Sequence, residues 1–148
     1  MFPTLDLNIQ FGCCFAVFIV WFLCLFPLRH AQAKAQGGLN NSDPRRQYGE
    51  IDGYGRRALA AHNNTLEGFV FFSFTLVANY FGNGHQTAAS ILAVIYAICR
   101  VIYAPLYIMD YPSLRSAVWM VSLLCIMSLF ILPFATPTTP GFVLSYNY

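Results

Sequence analysis

The sequence predicts an all-α integral membrane protein, built as a bundle of four transmembrane helices. Of its 148 residues, 57% are hydrophobic and 9% are charged, whereas about a quarter of the residues in soluble domains are charged. Four stretches have the length, about 17–25 mostly apolar residues, that a helix needs to cross a bilayer. None of them alternates apolar and polar residues as a transmembrane strand would. A single domain with helices at about residues 11–28, 58–81, 88–109 and 113–134 follows.

The first apolar run, residues 11–28, must be distinguished from a cleaved signal peptide. Residues 31–33, Ala-Gln-Ala, resemble a small-residue cleavage site. A signal peptide carries its positive charges before the apolar run. Here Asp6 is the one charged residue before it, and Arg29 and Lys34 follow it. The sequence therefore predicts a helix that is retained, with its N-terminus outside.

The lysine and arginine residues in the loops and near the helix ends lie on one side of the predicted bundle. With four helices, the N-terminus, the second loop and the C-terminus share a side, and they contain no Lys or Arg. The first loop, residues 29–57, contains six, and Arg115 lies near the third loop. The positive-inside rule places loops 1 and 3 in the cytoplasm and both termini outside. The first loop is long enough for a functional element, but a solvated linker is the simpler interpretation for most of it.

The second predicted helix, residues 58–81, places His62, Asn64 and Glu67 in the apolar layer. An acid at the centre of a transmembrane helix costs ~2.5–3.5 kcal/mol on insertion scales. Such a residue needs a partner and indicates a functional site by default. The spacing of Arg57, Asn64 and Glu67 puts all three on one face of the helix.

The third predicted helix carries a second polar stripe, because Tyr96, Arg100, Tyr103 and Tyr107 recur at helical spacing. Arg100 and Glu67 each lie ten residues from the cytoplasmic end of their helix, which is ~15 Å at 1.5 Å per residue. The two helices follow each other through a short turn and should be neighbours. We therefore predict that Glu67 and Arg100 form an ion pair.

Two interpretations of these residues remain open. The pair and its polar neighbours could hold the helices together by hydrogen bonds across the bundle. Alternatively, they form a binding site for an anionic ligand, which would explain why further polar side chains gather toward the same end. These further residues are Arg57, His62, Tyr103, Tyr107 and Arg115.

Several function classes find no support in the composition. The net charge is only +2, so no nucleic-acid-binding surface is expected. The five cysteines lie in apolar runs and show neither zinc-ligand spacing nor a redox motif. A lone His62 is more simply a hydrogen-bonding residue than a metal ligand. We expect no metal site.

Two segments resemble signatures of one known family. Residues 61–67, Ala-His-Asn-Asn-Thr-Leu-Glu, preceded by Arg57, resemble the second-helix signature of the MAPEG family (membrane-associated proteins in eicosanoid and glutathione metabolism). Residues 100–103, Arg-Val-Ile-Tyr, followed by Tyr107, resemble its third-helix signature, and Arg115 falls near a further arginine of the family. The resemblance covers most of the chain and is greatest to the short bacterial members.

The resemblance implies a homotrimer, here in a bacterial inner membrane, with glutathione held between subunits near the cytoplasmic face. It implies glutathione contacts from Asn64, Glu67, Arg100, Tyr103 and Tyr107, flanked by Arg57 and His62. It also implies that Arg115 is a catalytic residue that activates the thiol of glutathione. The chain departs from the family pattern at Ala60, where many members have arginine, and at Gly68, where some have tyrosine.

The resemblance implies a membrane-bound glutathione transferase or peroxidase that conjugates lipophilic electrophiles or reduces lipid hydroperoxides. Its ligands would be glutathione, a lipophilic small molecule and membrane lipid. A non-catalytic subunit of the same fold that binds a lipid or a partner protein is the alternative. An unrelated structural subunit is a third interpretation.

Overall fold

The computed structural model describes residues 3–136, and every regular element within that range is a helix. The α-helices are α1 (Pro3–Leu23), α2 (Leu25–Lys34), α3 (Tyr54–Phe81), α4 (Gln86–Ile108) and α5 (Pro112–Ala135). A short 3-10 helix, Arg46–Gly49, lies between α2 and α3. The all-α prediction is confirmed. The predicted location of both termini concerns residues that lie partly outside the described range.

Helices α1 and α2 form nearly one rod, interrupted at Cys24. Pro27 accounts for the interruption, because proline has no N–H and its ring displaces the carbonyl group four residues earlier, that of Leu23. The N–H of Cys24 still donates to the carbonyl of Val20 at 3.1 Å. The rod therefore extends beyond the predicted residues 11–28 at both ends, and the first loop begins at residue 35.

Within the described residues, three helices are long and apolar enough to cross a membrane. They are Leu5–Lys34, which combines most of α1 with α2, Gln86–Ile108 and Pro112–Ala135. The predicted second span corresponds to α3, which has 28 residues and is long enough to cross. Its polar residues make it less apolar than the other three. Those residues determine where the candidate site lies.

Helix α4 lies at the centre of the bundle and packs against α1, α3 and α5. The ring of Tyr96 stacks on that of Phe72 of α3 with 4.2 Å between ring centroids, and both side chains are fully buried. Val17 of α1 and Leu129 of α5 complete this part of the core. Many large apolar side chains on the outside of the bundle are exposed, as a membrane environment requires.

The connection between α2 and α3 folds against the helix ends. Gln47 is buried, and its Nε2 donates to the carbonyl groups of Gln32, at 3.1 Å, and Gly38, at 2.6 Å. Ile51 is buried against Leu28. The interpretation of this loop as mostly solvated linker agrees with the exposure of most of its residues, while the buried Gln47 and Ile51 fix it against the helix ends.

Candidate functional site

The buried guanidinium group of Arg100 is the centre of the candidate site. Arg100 lies in the middle of α4 and is only 3% exposed. Its Nε donates to the hydroxyl oxygen of Tyr96 at 3.0 Å, and its Nη1 donates to Oδ1 of Asn64 at 2.8 Å. Neutral oxygen atoms from α3 and α4 thus accept from two of the N–H groups of a buried positive charge.

The predicted ion pair between Glu67 and Arg100 is wrong. No ion pair within 4.0 Å joins these two described residues, and the Glu67 side chain is exposed. Three residues turn an α-helix by about 300°, so side chains three apart point in directions that differ by about 60°. Asn64 faces α4, whereas Glu67 points toward the exposed surface of α3. Arg100 lies instead against Gly68, where an added Cβ would be 2.7 Å from Cζ of Arg100. The glycine that departs from the family pattern makes room for the arginine.

A pair of tyrosines connects Arg100 with Arg115. Cζ of Arg100 lies 5.3 Å from the ring centroid of Tyr103, and the Tyr103 and Tyr107 rings meet edge to face at 5.6 Å. Cζ of Arg115, in the first turn of α5, lies 4.4 Å from the ring centroid of Tyr107. Both distances between a cation and a ring fall within the ~6 Å range of cation–π attraction. The predicted stripe on α4 is therefore one continuous contact path.

Charges of both signs surround this tyrosine pair. The guanidinium groups of Arg100 and Arg115 lie against the rings of Tyr103 and Tyr107, and Glu67 lies one turn along α3 from Asn64, which contacts Arg100. Among the described residues, the carboxylate of Glu67 and the guanidinium of Arg115 form no ion pair and no side-chain hydrogen bond. They are the groups of the cluster that remain available to a ligand.

Arg57 lies at the end of α3 and fastens that end to α4. Its Nε donates to the carbonyl of Ile108, the last residue of α4, at 2.9 Å. Its Nη1 also forms an ion pair with Oδ2 of Asp110 at 3.4 Å. A cation is favourable at a helix C-terminus, where carbonyl groups lack partners. The structure therefore shows Arg57 joining helix ends.

His62 joins α3 to α1. Its Nδ1 lies 3.1 Å from the carbonyl oxygen of Trp21, and its ring stacks on that of Trp21 with 5.1 Å between centroids. Because a carbonyl only accepts, Nδ1 is the donor. The interpretation of His62 as a hydrogen-bonding residue is confirmed. Within residues 3–136, no group of three or more His, Cys, Asp or Glu could hold a metal ion.

The predicted residues thus divide into a cluster and two residues that join helices, Arg57 and His62. The structure brings Asn64, Arg100, Tyr103, Tyr107 and Arg115 into one cluster, and Glu67 lies one turn along α3 from Asn64. Tyr96 was recognised as part of the stripe but not as a hydrogen-bond partner of Arg100. Sequence reasoning also missed the contact between Gly68 and Arg100, because a glycine gives no signal of what packs against it.

The fold and the cluster together define a class of protein. It is a helical membrane protein with several spans and a polar cluster that lies within the bundle near one end of α3, α4 and α5. A sequence model of the MAPEG family matches residues 11–135, most of the chain. The chain belongs to the MAPEG family. No protein of curated function and no solved structure gives a significant match.

Proposed function

We propose that this protein binds glutathione at the cluster and uses its thiol against lipophilic electrophiles or lipid hydroperoxides. The observation that carries this proposal is the presence of two groups of opposite charge that form no ion pair. Arg115 lies on the ring of Tyr107, and Glu67 lies one turn along α3 from Asn64. An unpaired charge in a membrane-spanning bundle is costly and indicates a functional site. The MAPEG family is associated with glutathione in general, which agrees with this chemistry.

The residues fit the charges of glutathione, a tripeptide with two carboxylates, one ammonium group and one thiol. The carboxylate of Glu67 suits the ammonium group, and the guanidinium of Arg115 suits a carboxylate or the thiolate. The hydroxyl groups of Tyr103 and Tyr107 can donate hydrogen bonds to either. Arg57 and His62 would contribute as flanking residues that keep the helices in place.

Arg115 is the candidate catalytic residue. A thiolate is the nucleophile in thiol chemistry, and a nearby cation lowers the pKa of a thiol. Arg115 is half-buried, so its charge is screened less than that of an exposed arginine. Its stacking on Tyr107 fixes the position of the guanidinium. Bound glutathione would supply the thiol, and the electrophile would reach the cluster from the bilayer.

A homotrimer would complete this site. Glu67 lies on an exposed face of α3 together with Leu66, Val70 and Phe74, which are 41%, 57% and 59% exposed. A carboxylate facing lipid is unfavourable, so a second copy of the chain that covers this face would stabilise it. We expect native mass spectrometry in a mild detergent to show a trimer. A monomer alone, with protein that retains its helical content, would contradict this expectation.

Binding is tested by thermal unfolding of the purified protein with increasing concentrations of glutathione. A ligand that binds only the folded state at 100 times its Kd stabilises it by about 2.7 kcal/mol, so the Tm should rise with concentration. Glu67→Gln should lose most of this rise while its own Tm without glutathione stays unchanged, because Glu67 has no partner in the described chain. A Tm that glutathione does not move would overturn the proposal.

A second candidate function, a non-catalytic lipid-binding subunit, is favoured by one separate observation. A cavity of about 530 Å³ lies between α1 and α3, at the end of α3 opposite the cluster. Its lining includes Leu7, Phe11, Leu76, Val77 and Phe81. An apolar cavity of this size suits a hydrocarbon chain. Protein that retains lipid but neither binds glutathione nor consumes a lipophilic electrophile would support this alternative.

A further inference from the structure

Four exposed cations gather at the end of the bundle where α2 ends. Arg29 and Lys34 lie on α2, and Arg45 and Arg46 lie in the loop that follows; all four are exposed. Residues 29–57 contain six of the eight Lys and Arg residues of the chain. The remaining two of these six, Arg56 and Arg57, form ion pairs with Asp52 and Asp110 at 2.7 Å and 3.4 Å. Among the described residues, the four cations form no ion pair.

A buried glutamine brings the four cations together. Gln32 is fully buried on α2, and its Oε1 accepts from Nη1 of Arg29 at 3.2 Å. Its Nε2 donates to the carbonyl oxygen of Pro44, the residue before Arg45, at 2.9 Å. Its own carbonyl accepts from Nε2 of Gln47 at 3.1 Å. The loop that carries Arg45 and Arg46 is therefore fixed against the end of α2 that carries Arg29 and Lys34.

The length of the first membrane-spanning rod places these cations at the depth of lipid headgroups. Residues Leu5–Lys34 form a rod of 30 residues, or about 45 Å at 1.5 Å per residue. This length exceeds the ~30 Å hydrocarbon layer and equals the full bilayer with its headgroups, ~40–45 Å. Exposed Phe26 lies one turn before Arg29, and the ring of exposed Tyr54 lies 6.3 Å from that of His30. Aromatic residues are typical of this interface.

We propose that Arg29, Lys34, Arg45 and Arg46 form a binding surface for the headgroups of anionic phospholipids in the surrounding bilayer. Clusters of about four to eight basic residues directly beside a transmembrane helix attract anionic lipids. The neighbouring acids reduce the charge of this surface without reversing it. Asp52 is paired with Arg56, and the exposed Asp43 and Glu50 set against the four cations leave a net charge of +2. This surface is separate from the cluster at Arg100, and the proposal does not depend on glutathione binding.

The test measures lipid selectivity. The protein is solubilised in mixed micelles of phosphatidylglycerol and phosphatidylcholine, and native mass spectrometry counts the lipids that remain bound. We expect enrichment of phosphatidylglycerol in the wild type. The double variant Arg45→Gln/Arg46→Gln should lose about fivefold in relative affinity for each cation removed. Arg45→Lys/Arg46→Lys keeps the charge and should keep most of the enrichment, which separates charge from folding.

The matched control is Asp52→Asn/Arg56→Gln. It removes an exposed ion pair from the same end of the bundle, so the net charge of that end stays the same. Its selectivity should equal that of the wild type. An equal loss in this control and in Arg45→Gln/Arg46→Gln, or no enrichment in the wild type, would overturn the proposal. A competition experiment distinguishes a lipid from a free phosphate. Glycerol phosphate, which has no acyl chains, should not displace the bound phosphatidylglycerol. If it does so at equal ionic strength, the surface recognises free phosphate instead of lipid.

Discussion

Asn64→Leu should lower the free energy of unfolding by about 3 kcal/mol, because it removes the oxygen that accepts from a buried guanidinium. Arg100 is 3% exposed, so water cannot replace Oδ1 of Asn64. The hydroxyl group of Tyr96 would remain as a single partner for five N–H groups. Chemical or thermal unfolding in detergent or in a bilayer measures the loss.

The control for this change is Glu67→Gln, one helical turn further along α3. Glu67 is exposed and has no ion pair within the described chain, so its replacement should change stability by less than ~0.5 kcal/mol. In double-mutant cycles, Asn64 and Arg100 should couple by more than ~0.5 kcal/mol, and Glu67 and Arg100 should not. Equal costs at residues 64 and 67 would mean that Arg100 has been assigned the wrong partner.

The sequence was sufficient to identify the stripe on α4 but not its partners on α3. Tyr96, Arg100, Tyr103 and Tyr107 follow from helical spacing, and their contacts agree with it. Depth alone could not choose between Asn64 and Glu67, because residues three apart lie at similar depth and differ in direction. From the sequence, the negative charge of Glu67 made it the expected partner of Arg100. In the structure, Arg100 contacts the neutral amide of Asn64 instead.

Two further features depend on packing that a sequence does not display. Gly68 gives no periodic signal, yet Arg100 occupies the space beside it. Gln32 and Gln47 are polar residues near a turn-rich segment, where solvent exposure is the ordinary expectation. Both are buried, since each amide finds a backbone carbonyl as an acceptor. These amides therefore fix part of a largely exposed loop against the end of the bundle, where the basic surface lies.

The helices were easier to predict than the loop because bilayer length and hydrophobicity limit them strongly. The first helix is longer than residues 11–28, since polar residues near both of its ends are compatible with helix outside the hydrocarbon layer. Helix α3 is long enough to cross a bilayer, but its polar residues lower its hydropathy below that of the other membrane-spanning helices. The residues that weaken that signal, Asn64 and Glu67 among them, are the ones that form or border the cluster.

Arg115→Leu should reduce the rate of the proposed glutathione conjugation by on the order of 10²-fold. The change removes the cation that would stabilise the thiolate. Stability should change little, because Arg115 is half-buried and its side chain contacts the ring of Tyr107 without an ion pair. Arg115→Lys keeps a charge and should recover part of the rate, whereas a purely structural role would give similar rates for both variants.

The pH dependence of the rate separates thiol activation from substrate binding. A cation favours the charged thiolate, so it lowers the pKa of the bound thiol, and the wild-type rate should reach its plateau at a lower pH. In Arg115→Leu the rate should keep rising, about tenfold per pH unit, until the pH approaches the ordinary thiol pKa of about 8.5. The rates of the wild type and of Arg115→Leu should therefore differ most at neutral pH and converge as the pH rises. Parallel profiles, displaced by a constant factor at every pH, would assign Arg115 to binding instead of thiol activation.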